Sequence, residues 1–167
     1  IDFARIETGE MKLEKSHFSI KNVVQQMVDF WQPQANTCDV ELVCQIEPDV
    51  PATLLGDPSR LGQVLNNLLS NALKFTNNGS VKLSIRAGDF ETSGSSRCTI
   101  RIEVMDTGIG IARDDLPSLF KEFSQVDVLR DTSRRFYDVF GNGKGAGLGL
   151  AICRSLVEQM GGKIGVT

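Results

Sequence analysis

PSRLGQVLNNLLSNALKF, residues 58–75, is the most strongly patterned stretch of this chain. Leu61, Val64, Leu65, Leu68, Leu69 and Ala72 recur at three- and four-residue spacing, the signature of a helix with one apolar stripe. Pro58 suits a first helical position, where its missing N–H costs nothing. Asn77-Asn78-Gly79 supplies turn chemistry directly after Phe75. Arg60, Gln63, Asn67, Asn71 and Lys74 follow the same period on the opposite face. A polar face of this kind is often simply solvated. Asparagine, however, forms helices less readily than Lys, Glu or Gln, and two of them one turn apart suggest amides aimed at something. An amide oxygen suits a hard cation such as Mg²⁺, which takes oxygen ligands and keeps waters and phosphates around it. Lys74 can meet a phosphate as a point charge.

On either side of this helix the period changes. Upstream, His17 to Ile20 reads as a short strand, Lys21 to Asn36 as a helix carrying Val23, Val24, Met27, Val28 and Trp31, and Asp39 to Glu47 as a half-buried strand. Pro48, Pro51 and Pro58 mark a loop. Downstream, Val81, Leu83 and Ile85 alternate, then Cys98, Ile100, Ile102 and Val104, and the polar stretch between them predicts a hairpin. A short helix is expected around Asp114–Phe123, then a long loop from Ser124 to Asn142. A last helix with Leu148, Ala151, Ile152, Leu156 and Met160 is stopped by Gly161-Gly162, and a further strand is expected from Lys163 to Thr167. This order predicts an α+β fold: a mixed sheet covered on one face by about three helices.

The chain has 167 residues, enough for one domain with a real core. Apolar residues make up 41% and charged residues 23%, which excludes disordered and fibrous classes. With 18 basic and 21 acidic residues the net charge is −3, so no basic footprint points to nucleic acid. No apolar run is long enough to cross a membrane. Cys38, Cys44, Cys98 and Cys153 form no C-x-x-C pair, and the single His17 cannot complete a metal set, so the cysteines are expected to be reduced core residues of a cytoplasmic domain. The chain opens Ile1-Asp2-Phe3 and closes Gly165-Val166-Thr167, which is read as a piece of a longer protein.

Two further clusters carry chemistry. Asp106-x-Gly108-x-Gly110 follows the second hairpin strand, and alternation points Asp106 the same way as Ile102 and Val104. A carboxylate on a covered face needs donors; a purine amino group is one. The two glycines let backbone approach a flat ligand. The other cluster is GNGKGAGLGL, residues 141–150, where five glycines alternate and lead into a helix. Helix N-termini attract phosphate. A Walker P-loop fails, because Asp138 stands at the first glycine position for Gly143-Lys144 and Gly145 replaces the Ser/Thr. The dinucleotide-binding G-x-G-x-x-G fails as well, because Leu150 takes the last glycine position after Gly145 and Gly147.

In order, the chain shows N-x-x-x-N-x-x-K-F, D-x-G-x-G-I, F-x-x-F, a loop, and G-x-G-L-G-L. This order resembles the catalytic and ATP-binding domain of sensor histidine kinases, within the Bergerat-fold ATPases, and Leu68–Thr76 with Phe123–Asp127 is most similar to the hybrid class. The resemblance implies a two-layer α/β sandwich over residues 16–167, preceded at residues 1–15 by the end of a dimerization helix and its linker, with an ATP lid at about 124–146. It implies ATP and Mg²⁺ as cofactors. Asn71 would hold the metal, with Asn67 beside it and Lys74 facing phosphate, these three being the catalytic residues. Phe75 would face the nucleoside, and Asp106 would accept from the adenine amino group in a pocket shaped by Gly108, Gly110 and Ile111. Phe120 and Phe123 match the phenylalanine box. Arg134 and Arg135 match a basic pair in the lid. Gly145, Ala146, Gly147, Leu148 and Gly149 match the glycine box, with Lys144 and Ala146 standing where the family often has glycine and a hydroxyl residue.

Gyrase-like and chaperone-like relatives place a glutamate at the Asn67 position, where it activates water. Asn67 cannot take a proton, so poor ATP hydrolysis is expected. The resemblance implies transfer of the γ-phosphate to a histidine on a separate dimerization–phosphoacceptor domain, with a receiver domain downstream. His17 matches no phosphoacceptor motif. A monomeric piece of a homodimeric parent is implied, its anchoring to a membrane left open. The altered glycine run and long lid keep a second reading in view, a nucleotide-binding regulatory module without transfer.

Overall fold

A computed structural model of the chain describes residues 12–90, 97–121 and 148–167. Its elements are β1 (Ser16–Phe18), α1 (Ile20–Thr37), β2 (Val40–Ile46), β3 (Leu54–Gly56), α2 (Pro58–Phe75), β4 (Gly79–Phe90), β5 (Cys98–Asp106), a 3-10 turn (Leu116–Ser118) and α3 (Gly149–Gln159). β2, β4 and β5 form a mixed sheet in that order, β2 parallel and β5 antiparallel to the central β4. β1 and β3 make a separate antiparallel ribbon. Along β4, Val81, Leu83 and Ile85 are completely buried while Arg86 is exposed, so one face is covered. This is the expected α+β sandwich.

α2 occupies the residues expected of it. Asp57 caps it, its Oδ1 accepting from Arg60 N–H at 3.0 Å while Oδ2 accepts from Glu14 N–H at 2.9 Å. One buried carboxylate thus starts the helix and ties down the chain that enters β1. Asp57→Ala is expected to lower stability by about 1–2 kcal/mol, the upper range for a lost cap, measured by urea denaturation. A loss below about 0.3 kcal/mol would deny the cap its role.

α1 runs beside α2. Ile20, Val23 and Val24 pack with Leu65, Leu83 and Ile85, while Trp31, Ala35 and Cys38 pack with Leu69, Leu73 and Val81. The Trp31 indole N–H donates to Asn66 Oδ1 at 3.1 Å, which satisfies the one polar atom the indole brings inward. A third cluster, Val64, Cys153 and Leu156, joins α3 to the other side of α2. α2 is therefore flanked by both other helices, and only Ser59 along its length is exposed.

Several expectations are corrected. Ile20 begins α1 instead of ending a strand, because Ser19 caps the helix by accepting from Asn22 N–H at 3.4 Å. The expected loop between Pro48 and Pro58 contains β3, a three-residue strand formed only by pairing with β1. The helix expected at Asp114–Phe123 is, as far as Lys121, a 3-10 turn, since Pro117 cannot donate the bond an α-helix needs there. Lys163–Thr167 forms no strand; no described strand pairs with it, and Ile164 packs against the third cluster. All four cysteines are free. Cys38 and Cys153 are buried, Cys98 is half-buried, and Cys44 is exposed, on a strand with a described neighbour on one side only. Gly161, at φ +78°, ends α3 as expected. The linker residues 1–11 and the lid at 124–146 lie outside the described residues, as do Phe123, Arg134, Arg135, Gly145, Ala146 and Gly147. No described helix is long and apolar enough to cross a membrane.

Candidate nucleotide site

Asn67, Asn71 and Lys74 share one face of α2 and are all half-buried. This face is not simply solvated, because α3 closes part of it. The N-terminus of α3 stands beside Asn67: a Cβ placed on Gly149 would lie 3.7 Å from Asn67 Oδ1, an ordinary contact. The two neighbouring asparagines divide their work, Asn66 serving the core through Trp31 and Asn67 facing α3. Cys153, one turn into α3, donates its thiol to the Val64 carbonyl at 3.8 Å. Burial raises the Cys153 pKa to about 11, and a hydrogen bond from the Asn67 side chain partly offsets that rise.

The other end of the site is built where β5 leaves the sheet. Thr107 latches the loop to the start of β4, its Oγ1 accepting from Ser80 N–H at 2.9 Å and its own N–H donating to Ser80 O at 3.1 Å. Ile109 N–H then donates to the carbonyl of Phe75, the last residue of α2, at 3.2 Å. Gly108 sits inside this contact. A Cβ there would collide with the Phe75 carbonyl oxygen and lie 2.8 Å from both its carbonyl carbon and Asp106 Oδ1. Gly110 takes φ +72°, a conformation glycine adopts without penalty. The loop after the sheet and the C-terminus of the asparagine helix thus form one unit.

Asp106 departs from the expectation that it points into a covered face. It is exposed, and Oδ1 accepts from Gly108 N–H at 2.9 Å. As the last residue of β5, it has run past the helical cover, and the local turn provides the donor that a buried carboxylate would have lacked. Its other oxygen is available at the mouth of the loop, where Ile109 and Ile111 are also exposed. Lys74 Nζ lies 5.0 Å from the Phe75 ring centroid, so the two adjacent side chains meet each other at the surface of the site. Phe120 is half-buried, Leu148 is the residue before α3, and His17 is exposed on β1.

Thr107 has no place in the sequence expectation, and Cys153 enters it only as a reduced core residue, which it is. Nothing local in the sequence signals that this thiol meets the Val64 carbonyl. The latch residue was visible only as the x of D-x-G.

Among the described residues, no three His, Cys, Asp or Glu side chains gather as a metal cluster. The ligands this face can offer a cation are the amide oxygens of Asn67 and Asn71. That set fits Mg²⁺, which completes its shell with water and phosphate oxygen. A loop with room only for glycine beside an exposed carboxylate fits a flat heterocycle at the other end.

Residues 56–167 match the family described as histidine kinase-, DNA gyrase B-, and HSP90-like ATPase. The chain is 39% identical over 166 residues to the sensor histidine kinase GacS of Pseudomonas protegens and 41% identical over 167 residues to the sensor histidine kinase RcsC of Escherichia coli. In each case 99% of this chain is covered but only 17% and 16% of the relative, so the chain spans about a sixth of their length. Among solved structures, full-length ShkA in complex with AMPPNP superposes with a TM-score of 0.77 at 31% identity, over 99% of this chain and 30% of that one. The catalytic domain of histidine kinase ThkA, at 22% identity, shares the fold with a TM-score of 0.63 over 87% of this chain and 82% of that one. On the family match and the shared fold together, the chain belongs to the histidine kinase-, DNA gyrase B- and HSP90-like ATPases, and it is similar over nearly its whole length to sensor histidine kinases.

Proposed function

We propose that this domain binds Mg-ATP and donates the γ-phosphate to a histidine on a separate dimerization–phosphoacceptor domain. The observation that carries the reading is the half-buried face of α2, where Asn67, Asn71 and Lys74 stand between the start of α3 and the loop pinned to Phe75. Phosphoryl transfer depends on positioning and charge stabilisation more than on covalent chemistry by the enzyme, and this face supplies those. Bound Mg²⁺ would neutralise phosphate charge. Asn71 and Asn67 offer it oxygen, Lys74 leaves the Phe75 ring to meet phosphate, and Asp106 accepts from the adenine amino group. The acceptor histidine's ring nitrogen forms the new bond to phosphorus as the bond to the bridging oxygen breaks and ADP leaves. Asn67 cannot act as a general base toward water, so hydrolysis is slow. A receiver domain downstream would take the phosphoryl group on.

Incubating the chain with Mg-ATP, alone and with a dimerization–phosphoacceptor domain from its parent, tests this reading. Labelled histidine should appear only in the mixture. Binding with no transfer would instead favour a regulatory nucleotide-binding module, and steady turnover by the chain alone would favour an ATPase.

Asp106→Asn is expected to weaken the preference for adenine over guanine by about tenfold, because one charged hydrogen bond contributes roughly 1.5–3 kcal/mol. Competition binding with Mg-ATP and Mg-GTP measures it; unchanged selectivity would remove Asp106 from base recognition.

A further inference from the structure

The loop that leaves β5 is held at two points. Downstream, Ile109 N–H donates to the Phe75 carbonyl. Upstream the anchor is Thr107. Its backbone N–H, donating to Ser80 O at 3.1 Å, prolongs the ladder that pairs Val81 with Asp106. Its hydroxyl adds a bond of its own, accepting from Ser80 N–H at 2.9 Å. The hydroxyl proton is directed to Ser80 O, at 3.4 Å. Gly79, the first residue of β4, makes room for this hydroxyl: a Cβ there would collide with Thr107 Oγ1 and lie 3.2 Å from Thr76 Cγ2. Gly79 takes no positive φ, so the space beside it, and not backbone freedom, is what calls for glycine. Between the two anchors lies the Gly108 N–H, from which Asp106 Oδ1 accepts at 2.9 Å. The direction of the Asp106 carboxylate is therefore set by an amide that the Thr107 latch holds in place.

We infer that Thr107 is a specificity-determining positioning residue: its hydroxyl, seated on Ser80, fixes the Gly108 amide that orients Asp106, and so tunes the choice of base without touching it. The inference rests on the nucleotide reading proposed above, in which the second Asp106 oxygen accepts from the adenine amino group. Guanine carries a carbonyl oxygen in place of that amino group, and a carboxylate repels it. Such discrimination depends on direction, because a hydrogen bond weakens steeply as it bends. A carboxylate free to swing keeps its charge and loses its aim.

The test uses the whole 167-residue chain with two readouts. The first is amide hydrogen exchange at Gly108 in nucleotide-free protein. The second is the ratio of the dissociation constants of Mg-ATP and Mg-GTP. Thr107→Val keeps the side chain's shape and removes both hydroxyl bonds. It should speed exchange at Gly108 and lower the preference for Mg-ATP about threefold, the low end for one hydrogen bond, because Thr107 is exposed. Thr107→Ser keeps a hydroxyl with the same donor and acceptor capacity and should restore both readouts. In an Asp106→Asn background, Thr107→Val should change the ratio no further, which is the coupling expected if it acts through Asp106. A merely structural role would weaken both nucleotides alike and leave the ratio unmoved. That result, an equal change of the ratio in both backgrounds, or a serine variant that behaves like valine would overturn the inference. Thr107→Ala makes the same comparison if the valine variant does not fold. Should the unaltered chain bind neither nucleotide, the proposed function falls, and Gly108 exchange alone decides whether Thr107 fixes the loop: exchange unchanged in Thr107→Val would remove that role too.

Discussion

Asn71→Ala is expected to abolish detectable phosphoryl transfer while leaving the domain folded. The amide lies on the half-buried face of α2, away from Leu65, Leu69 and Leu73 in the core. Its loss removes an oxygen ligand from the place where phosphate charge must be balanced. Removing one such preorganised group costs about 10²–10³-fold in rate. Stability should move the other way or stay level, because alanine is the better helix former by up to about 0.7 kcal/mol. The two readouts therefore separate a site residue from a structural one. Labelled phosphate on the acceptor histidine and the urea midpoint measure them. A variant that transfers normally, or one that loses activity only because it unfolds, would contradict the role assigned to Asn71.

Gly108→Ala is expected to damage both fold and binding. The new methyl would meet the Phe75 carbonyl on one side and the Asp106 carboxylate on the other. A carbonyl inside a helix terminus cannot swing aside as a flexible side chain can. The loop must move instead, and the bond from Ile109 N–H to Phe75 O is lost with it. Overpacking of this kind costs about 1–3 kcal/mol. Nucleotide affinity should fall at least tenfold, because the displaced loop carries Asp106 and Gly110. Calorimetric titration with Mg-ADP and thermal unfolding measure the pair. Wild-type affinity in a stable variant would mean that the loop is not part of the nucleotide site.

What the sequence made legible follows from range. α2 was readable to the residue because its period, its first-turn proline and its closing turn are all local. The hairpin of β4 with β5 follows from alternation and a local connection, while the parallel pairing of β2 with β4 crosses over through β3 and α2 and is not legible in either strand alone. β3 was not readable, since three residues become a strand only through β1, far away in the chain. The sequence puts Asp106 just past the second hairpin strand and on a covered face, whereas it is that strand's last residue and exposed. Alternation gives a side chain's direction, while burial depends on how far the covering helices reach. The face bearing Asn67 and Asn71 is legible as a pattern, yet its partial cover by α3 belongs to tertiary packing alone. The lid and most of the glycine run that shaped the expectation fall outside the described residues, so the site stands on α2, the loop after β5 and the start of α3.

Thermal unfolding of the unaltered chain with and without Mg-nucleotide tests the central claim most directly. A ligand present at 100 times its dissociation constant stabilises the native state by about 2.7 kcal/mol. For a domain of this size that is a rise in Tm of roughly 5–10 °C. The nucleotide site described here predicts that rise with Mg-ATP and with Mg-ADP, and a smaller one with Mg-GTP. A melting temperature unmoved by saturating Mg-ATP and Mg-ADP alike would contradict it.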